Sequence, residues 1–489
     1  MAPSATLHEG LSAVDTAWLR MDRPANLMMI CGMMLLDGHV DLERMKDVIR
    51  TRMLCFHRFR QRVVDAHGDA HWEFDPGFDL DWHVRHLVLR ADEALEDVAS
   101  DLASTALDPG KPMWQWHVID GAQGSALVLR IHHCYGDGFA LMHVVEALTD
   151  IDPAHPRRPG PDLPGRAAAR GAWERIFGPV SQALGDAVRG SLAAAAAGAS
   201  LLVHPLNALD YARRGADLMV QAGVIAAMTP DAPTRLKGEL GITKRTAWGK
   251  PLPLFEVKAL AEALCCSVND VLVSCVAGAL RAWLLGEGEA LAGPPIRALV
   301  PVNLRPPGPV TELGNRFGLV FLELPVGIAD PVERALAVHQ GMLELKNSQQ
   351  PLVALGLLAT MGMAPEAIKE RILDALAENA SIVITNVRGP EQPRYLAGRR
   401  IEREMVWVPQ SGGIGIGVSL LSYDGKVSFG VIADLQRVPD PADITAYFAA
   451  EFEALLLRAL MMPWPAQPGA GWTREGQGAT PTGHAGPRR

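Results

Sequence analysis

The sequence predicts an α/β protein with two domains joined by a helical crossover. The chain has 489 residues. This length exceeds what a single hydrophobic core usually organises. Strand patterns that lead through turns into apolar helix patterns occur both early and late in the chain. A proline-rich and then alanine-rich stretch separates them. We therefore predict domains at residues 1–152 and 233–462, a linker and crossover at 153–232, and a disordered tail at 463–489.

Composition narrows the class of protein. The chain is 48% hydrophobic and 21% charged, a normal globular balance. Its net charge of -9 argues against a nucleic-acid partner. No apolar run reaches about 18 residues and no secretory leader pattern begins the chain, so we expect neither a spanning helix nor export. The six cysteines lack metal or disulfide spacing, which is typical of a reduced cytosolic protein.

The first domain begins with a predicted helix that Ser12 can cap. Residues 26–36 form a methionine-rich strand pattern that ends at a turn, and we interpret its methionines as core in preference to a lipid-contact surface. Helix patterns follow at residues 41–53 and 91–105, and strand patterns at 72–74 and 115–119. The second of these strands directly follows Trp114, a residue type that usually lies in the core.

The most informative stretch runs from residue 127 to residue 138. A strand pattern delivers the adjacent His132 and His133, and a short turn then reaches Asp137 and Gly138 at the start of an apolar helix pattern. Side chains of successive strand residues point to opposite faces, so we expect one histidine to be catalytic and the other structural. A histidine at a strand end has a pKa near neutrality and can act as a general base. Asp137 can turn back under the strand end and fix the local geometry.

The alanine-rich stretch at residues 167–228 supports two interpretations. Its apolar residues recur at helical spacing, which suits a crossover packed on both domains. It also suits a helix lying on a membrane surface. The sequence leaves both open.

The second domain carries further candidate residues. Ser267 and Asp270 form a capping-box pattern at a helix start, which gives Asp270 a structural reason to be there. A strand beginning near residue 296 leads to Arg305, which we predict to pair with a carboxylate between the domains, with Asp137 as the candidate. Asn386 follows a strand pattern and can hydrogen-bond a substrate or a neighbouring loop. A hairpin is predicted at residues 418–433 and a last helix at 441–461.

Taken together, these motifs resemble the wax ester synthase/diacylglycerol acyltransferase family. The resemblance rests on His132-His133-x-x-x-Asp137-Gly138, on Pro112-Met113-Trp114 and on the Asn269-Asp270 pair. The segments 301–306 and 314–318 also resemble the family closely. Residues 381–390 do so with two departures, Thr385 and Arg388 standing where the family usually has Ser and Pro. The second departure replaces a residue that fixes φ with one that adds a charge.

The resemblance implies two α/β sandwich domains like that of chloramphenicol acetyltransferase, with a tunnel at their interface. It implies transfer of a fatty acyl group from acyl-CoA to diacylglycerol or a long-chain alcohol. His133 would be the general base, His132 would support the geometry or the oxyanion, and Asp137 would be structural. Residues expected to bind substrate or shape the site are Gly138, Trp114, Asn269, Asp270, Arg305 and Asn386.

The same resemblance sets expectations about partners and place in the cell. No metal and no bound cofactor is expected, since acyl-CoA is a substrate. We expect a cytoplasmic protein that associates peripherally with the inner face of the membrane or with lipid bodies, and that binds no nucleic acid.

Several alternatives were weighed. Gly-x-Ser-x-Gly and His-Glu-x-x-His are missing from the sequence, which disfavours a serine hydrolase and a zinc hydrolase. Cys134 adjoins His133 on extended backbone, which disfavours a Cys-His nucleophile. The glycines at 412–417 do not fit a nucleotide-binding loop and are better interpreted as a strand that passes close to another group. The remaining alternatives are a related acyltransferase with another acceptor and a catalytically silent lipid-binding protein on the same fold.

Overall fold

The computed structural model describes residues 9–66, 69–154, 228–291, 293–305, 313–348, 350–363, 378–410 and 412–462. Most of the predicted linker and crossover lies outside these ranges, as does the predicted tail at 463–489. The positions of the two domain boundaries therefore stay predictions.

The first part of the chain, up to residue 154, alternates helices and strands. Its helices are α1 (Ala13–Met21), α2 (Leu42–Val48), α3 (Leu80–His83), α4 (Leu95–Ser104) and α5 (Gly138–Leu148). Its strands are β1 (Glu9–Gly10), β2 (Met29–Leu36), β3 (Gln61–Ala66), β4 (Asp69–Phe74), β5 (Val84–Val88), β6 (Trp114–Asp120) and β7 (Ser125–His132). A π-helical turn, Ile49–Met53, extends α2, and 3₁₀ turns lie at His57–Arg60 and His133–Tyr135.

The second part, from residue 228, is built in the same manner. Its helices are α6 (Leu254–Ala263), α7 (Val268–Gly286), α8 (Pro331–Lys346), α9 (Gln350–Met363) and α10 (Ala442–Leu460). Its first strands are β8 (Lys244–Trp248), β9 (Leu252–Pro253), β10 (Ile296–Asn303), β11 (Phe317–Leu324) and β12 (Ile382–Arg388). Its last strands are β13 (Tyr395–Leu396), β14 (Arg399–Trp407), β15 (Ile416–Tyr423) and β16 (Lys426–Asp434).

Two large mixed sheets organise these elements. The first has the strand order β13-β14-β2-β7-β6-β5, and the second has β11-β10-β12-β15-β16-β8 with β9 paired to β16. Strands β1, β4 and β3 form a small third sheet. Hairpins join β6 to β7 and β15 to β16, and both hairpins are antiparallel. The predicted hairpin at 418–433 is confirmed.

One strand crosses between the two halves. β14 lies far along the chain, yet it pairs antiparallel with β2 of the first sheet, with Met405 opposite Met33 and Trp407 opposite Cys31. α9 likewise packs on α1 of the first half and on β11 of the second. The second half therefore supplies part of the first half's sheet and core, an exchange for which local sequence gave no signal.

The cores follow the alternation of side chains on the sheets. On β10, Ile296 and Ala298 pack under α7 and α10, whereas Leu299 faces the first half. The largest cluster of buried apolar residues therefore spans the interface between the halves. Its members include Met28 and Met34 of the methionine-rich segment, while Met29 and Met33 are buried on the other side of the first sheet. The interpretation of these methionines as core is confirmed.

Local capping explains where several helices begin. Ser12 Oγ accepts from the backbone N–H of Asp15 at 2.9 Å at the start of α1. Ser267 and Asp270 form the predicted capping box at the start of α7. Within the described ranges, α7 is the one helix long and apolar enough to cross a membrane, and most of it is buried as a core helix of the second half.

Candidate active site

The site is built where β7 ends. All eight residues of β7 are buried, and at His132 the strand gives way to the short 3₁₀ turn His133–Tyr135. The backbone N–H of His133 donates at 2.7 Å to the carbonyl oxygen of Met28, the residue that precedes β2. Because the extended backbone stops between the two histidines, their rings enter different surroundings.

The ring of His133 lies in an apolar sandwich. It stacks on Trp18 of α1 with a centroid distance of 4.1 Å and an interplanar angle of 14°. Its centroid is 5.7 Å from that of the Phe317 ring. Its Nδ1 is buried without a hydrogen-bond partner. Burial lowers the pKa of His133 from its ordinary value, while the nearby Asp137 carboxylate opposes that shift. The imidazole is therefore neutral at pH 7 and able to accept a proton.

His132 has a different environment. Its Nδ1 accepts from the backbone N–H of Cys134 at 3.1 Å, which leaves the proton of the neutral ring on Nε2. That Nε2 has no hydrogen-bond partner, and the nearest carboxylate oxygen, Asp22 Oδ1, is 3.9 Å away. Burial lowers the pKa of His132 to about 3. This ring holds the turn rather than facing the space in front of His133.

Asp137 organises the turn, as its position in the sequence predicted. One oxygen accepts from the backbone N–H of Ala140 at 3.0 Å and so caps α5. The other oxygen accepts from Arg305 Nη2 and from the backbone N–H of Arg316, both at 2.8 Å. The predicted pairing of Arg305 with Asp137 is thus confirmed. The pair is almost fully buried, so it ties the histidine turn to the second half.

A largely apolar cavity opens in front of His133. It holds about 980 Å³ of empty space, its mouth included. Both halves line it, because β10, β11 and β12 face α1 and the start of α5 across it. The lining residues are Trp18, Met21, Ile30, His133, Asp137, Gly138, Phe139, Leu299, Pro301, Asn303, Phe317, Leu319, Leu358, Val383, Thr385, Asn386, Val387, Val406, Val408 and Pro409.

Two of the predicted site-shaping residues of the second half lie at or behind this lining. Asn386 is on the cavity wall, and its Nδ2 donates to Asn269 Oδ1 at 2.8 Å. Asn269 is therefore one hydrogen bond away from the cavity. Asp270 points elsewhere: besides capping α7, its Oδ2 bonds His339 Nδ1 at 2.7 Å. This placement agrees with the structural reason that the capping box gives for Asp270.

Of the two remaining predicted residues, Gly138 lines the cavity and Trp114 does not. Gly138 lines the cavity, and a methyl group there would be only in ordinary contact with Val387, at 3.7 Å. Trp114 is fully buried in the core, where its Nε1 donates to Phe59 O at 2.8 Å and its ring stacks on His83. It is not among the residues that line the cavity, and its expected role in binding substrate or shaping the site stays a prediction.

Four residues around His133 escaped the sequence-based reasoning. Trp18 and Phe317 hold its ring, and Asp15 and Asn315 hold its backbone, with Asn315 Nδ2 donating to His133 O at 2.8 Å. The segment containing Asn315 and Phe317 had been noted only for its resemblance to the family. Asp15 and Trp18 carried no signal beyond membership of a helix.

Comparison with known protein families covers most of the chain. A model described as the wax ester synthase/diacylglycerol acyltransferase catalytic domain matches residues 11–272. A model of the C-terminal domain of the same family matches residues 313–456.

Individual relatives agree with these models. A probable diacylglycerol O-acyltransferase of Mycobacterium tuberculosis H37Rv is 27% identical over 455 residues, covering 89% of this chain and 93% of the relative. A putative diacylglycerol O-acyltransferase of the same strain is 28% identical over 419 residues, covering 82% of this chain and 80% of the relative.

Solved structures show the same fold. A wax ester synthase/diacylglycerol acyltransferase from Marinobacter aquaeolei VT8 superposes with a TM-score of 0.64 at 22% identity, covering 92% of this chain and all of that one. The first condensation domain of a calcium-dependent antibiotic synthetase superposes with a TM-score of 0.54 at 16% identity, covering 96% and 98%. The predicted pair of chloramphenicol-acetyltransferase-like α/β domains is confirmed by these matches.

Proposed function

The chain belongs to the wax ester synthase/diacylglycerol acyltransferase family, and we propose that it transfers a fatty acyl group from acyl-CoA to the hydroxyl of diacylglycerol or a long-chain alcohol. The product is then a triacylglycerol or a wax ester, with free CoA. The observation that carries this proposal is a neutral, buried imidazole, His133, on the wall of an open apolar cavity. A general base needs that protonation state, and fatty chains need that lining.

The proposed reaction is a direct transfer. The neutral ring of His133 takes the proton of the acceptor hydroxyl as its oxygen attacks the carbonyl carbon of the thioester. The tetrahedral oxyanion then collapses, the C–S bond breaks, and the CoA thiolate leaves and recovers the proton from His133. Because Nδ1 is enclosed, Nε2 is the nitrogen of His133 that is available to the hydroxyl. The reaction is written without a metal or bound cofactor, since acyl-CoA enters as a substrate.

The other predicted residues take supporting roles in this proposal. His132 is off the cavity wall and accepts from the Cys134 N–H, so it supports the turn rather than the oxyanion. Asp137 has its two oxygens committed to α5, Arg305 and Arg316, so it supports geometry and touches no substrate. Asn386 supplies a polar group on a largely apolar wall, next to Thr385, where it can orient a substrate.

The test is release of free CoA thiol from palmitoyl-CoA, with diacylglycerol or hexadecanol as acceptor and product identification by chromatography. We expect acceptor-dependent release that His133→Ala abolishes, and the better acceptor names the product. His83→Gln is the matched control, since His83 is buried, is stacked on Trp114 and is off the cavity wall. Release that survives in His133→Ala would move the base elsewhere, first to His132. Lack of release with either acceptor in the wild type would favour the lipid-binding alternative.

We also propose that the protein meets its lipid substrates by peripheral attachment to the cytoplasmic face of a membrane or to a lipid body. The support is chemical: the proposed acceptor and product reside in lipid phases, and the cavity lining is apolar. Sedimentation with vesicles that contain diacylglycerol tests this, with vesicle-free protein as the control. Recovery of all protein in the supernatant at every lipid composition would contradict it.

A further inference from the structure

The backbone at His133 is held by a bridge that reaches from one half of the protein to the other. Asp15 lies on α1, is buried, and accepts with Oδ1 from Asn315 Nδ2 at 2.9 Å and from the Asn315 backbone N–H at 3.1 Å. The same Nδ2 of Asn315 donates to the carbonyl oxygen of His133 at 2.8 Å. One amide group therefore joins a carboxylate of the first half to the residue that carries the proposed base.

The orientation of that amide is fixed by chemistry. Both of its near neighbours, a carboxylate oxygen and a carbonyl oxygen, are acceptors only, so the NH₂ group of Asn315 must face them. Its Oδ1 is then turned into a buried place without a hydrogen-bond partner. A buried acceptor left unpaired costs about 1–3 kcal/mol. The two hydrogen bonds that the amide donates, to His133 O and to Asp15 Oδ1, offset this cost.

The bridge and the ring contacts share the same two elements. Asp15 and Trp18 are three residues apart on α1, so they lie on one face of the helix. Asn315 and Phe317 are two residues apart where the chain enters β11, and alternate residues of extended backbone also share a face. Each element thus supplies one group for the backbone of His133 and one aromatic ring for its imidazole.

Control of the carbonyl matters because His133 sits at a change of direction. The chain leaves β7 one residue earlier and enters a 3₁₀ turn, in which His133 O also accepts from the Gly136 N–H at 3.3 Å. A rotation of this peptide moves Cα and swings the ring out of its contact with Trp18. A shift of about 1 Å at a reacting group can lower a rate about a hundredfold.

We propose that Asp15 and Asn315 are positioning residues, which act through the His133 carbonyl to hold the imidazole against Trp18 and Phe317 at the cavity wall. This inference rests on the proposed role of His133 as the base. Neither residue touches the substrate, so the loss of either should lower kcat while KM for palmitoyl-CoA stays within about twofold.

An exchange of the two side chains separates positioning from simple attachment of the halves. In Asn315→Asp alone, two carboxylates face each other, and the thermal midpoint and kcat should both fall. In the double variant Asp15→Asn/Asn315→Asp, an amide again meets a carboxylate, so the thermal midpoint should largely recover. The donor to His133 O is still missing, so kcat should stay at least about tenfold below the wild type. Recovery of kcat along with the midpoint would overturn the proposal.

A second measurement does not depend on acyl transfer. The rate at which diethyl pyrocarbonate modifies His133, followed by peptide mass spectrometry, reports how well the ring is held in its stack. We expect faster modification in Asp15→Asn, which keeps the shape and removes the charge, and in the double variant if it folds. An unchanged rate in Asp15→Asn would overturn the positioning role. If the wild-type protein transfers no acyl group, the proposed function fails, and the modification rates still decide whether the bridge holds the ring.

Discussion

The two long hairpins of the protein both end on buried polar residues, and they treat them in opposite ways. At the end of β16, Asp434 is fully buried, and Lys244 Nζ donates to its Oδ2 at 2.6 Å. The backbone N–H of Gln436 donates to the other oxygen at 3.0 Å, and Lys244 Nζ also donates to Gly241 O. At the end of β7, His132 Nε2 and His133 Nδ1 are buried with no partner.

The end of β16 is thus fully paired, whereas the end of β7 brings one histidine, His133, to the cavity wall. An unpaired buried polar atom costs about 1–3 kcal/mol, so a fold normally pairs such atoms, as it does at Asp434. His133 lies on the cavity wall, where its Nδ1 is enclosed and its Nε2 is the nitrogen that we propose meets the substrate hydroxyl. The end of β16 contributes no residue to that wall.

The largest expected effect on stability comes from breaking the ion pair between Asp434 and Lys244 at the end of β16. Asp434→Asn leaves the Lys244 ammonium buried without its counter-charge, which should cost about 3–5 kcal/mol of unfolding free energy. The rate per folded molecule should not change, because Asp434 is off the cavity. Chemical denaturation and active-site-normalised kcat measure the two quantities. A stable variant with a lowered kcat would contradict the division between the two hairpin ends.

Acid should cause the next largest loss of stability, through two buried histidines of the first half. Burial lowers the pKa of His132 to about 3, and that of His117 on the neighbouring β6 also to about 3. An unfolded histidine takes up its proton near pH 6.5, whereas these two cannot do so while folded. The unfolded state therefore binds more protons below pH 6.5, and stability falls with pH there.

From pH 7 to pH 5 each of these histidines should remove about 2 kcal/mol of unfolding free energy. Thermal unfolding at half-unit steps of pH measures the loss, and His117→Gln should reduce it. A midpoint that stays constant down to pH 5 would contradict the buried, neutral state of these rings.

A smaller effect is expected for the ion pair that joins the histidine turn to the second half. Asp137 and Arg305 are 2.8 Å apart and nearly buried, so they should be coupled by about 1–2 kcal/mol. The measurement is a double-mutant cycle on unfolding free energy with Asp137→Asn and Arg305→Met. Additive losses would show that the two side chains act independently.

The smallest effect is expected at Asn269, which touches the cavity wall only through Asn386. Removing one side-chain hydrogen bond costs about 1 kcal/mol. Asn269→Ala should therefore raise the KM for the acceptor about fivefold or less and leave kcat in place. A large fall in kcat would make Asn269 part of the reacting site instead.

Local features were predictable from the sequence because their causes are local. The glycines and Asp137 fix the turn after β7, Ser267 fixes the start of α7, and alternation fixes the β15–β16 hairpin. The Arg305–Asp137 contact was also predicted, as the pairing of Arg305 with a carboxylate between the domains.

The remainder depends on contacts that no local pattern encodes. β14 pairs with β2 across more than half of the chain, and its own residues gave no sign of which sheet they complete. Asp15 is an ordinary helix residue until the fold brings Asn315 to it. Trp114 lies in the core, as its residue type indicated, and any part it plays in the site stays a prediction.

The central claim is that His133 is a base because burial keeps its ring neutral on the cavity wall. The pH dependence of kcat/KM for palmitoyl-CoA and the better acceptor tests it most directly. Burial lowers the pKa of His133, so the neutral ring persists below pH 6.5 and the acid limb of the profile should have its midpoint below that value. Preincubation at each pH followed by assay at pH 7 separates this limb from acid unfolding. A reversible midpoint at or above pH 6.5 would contradict the account.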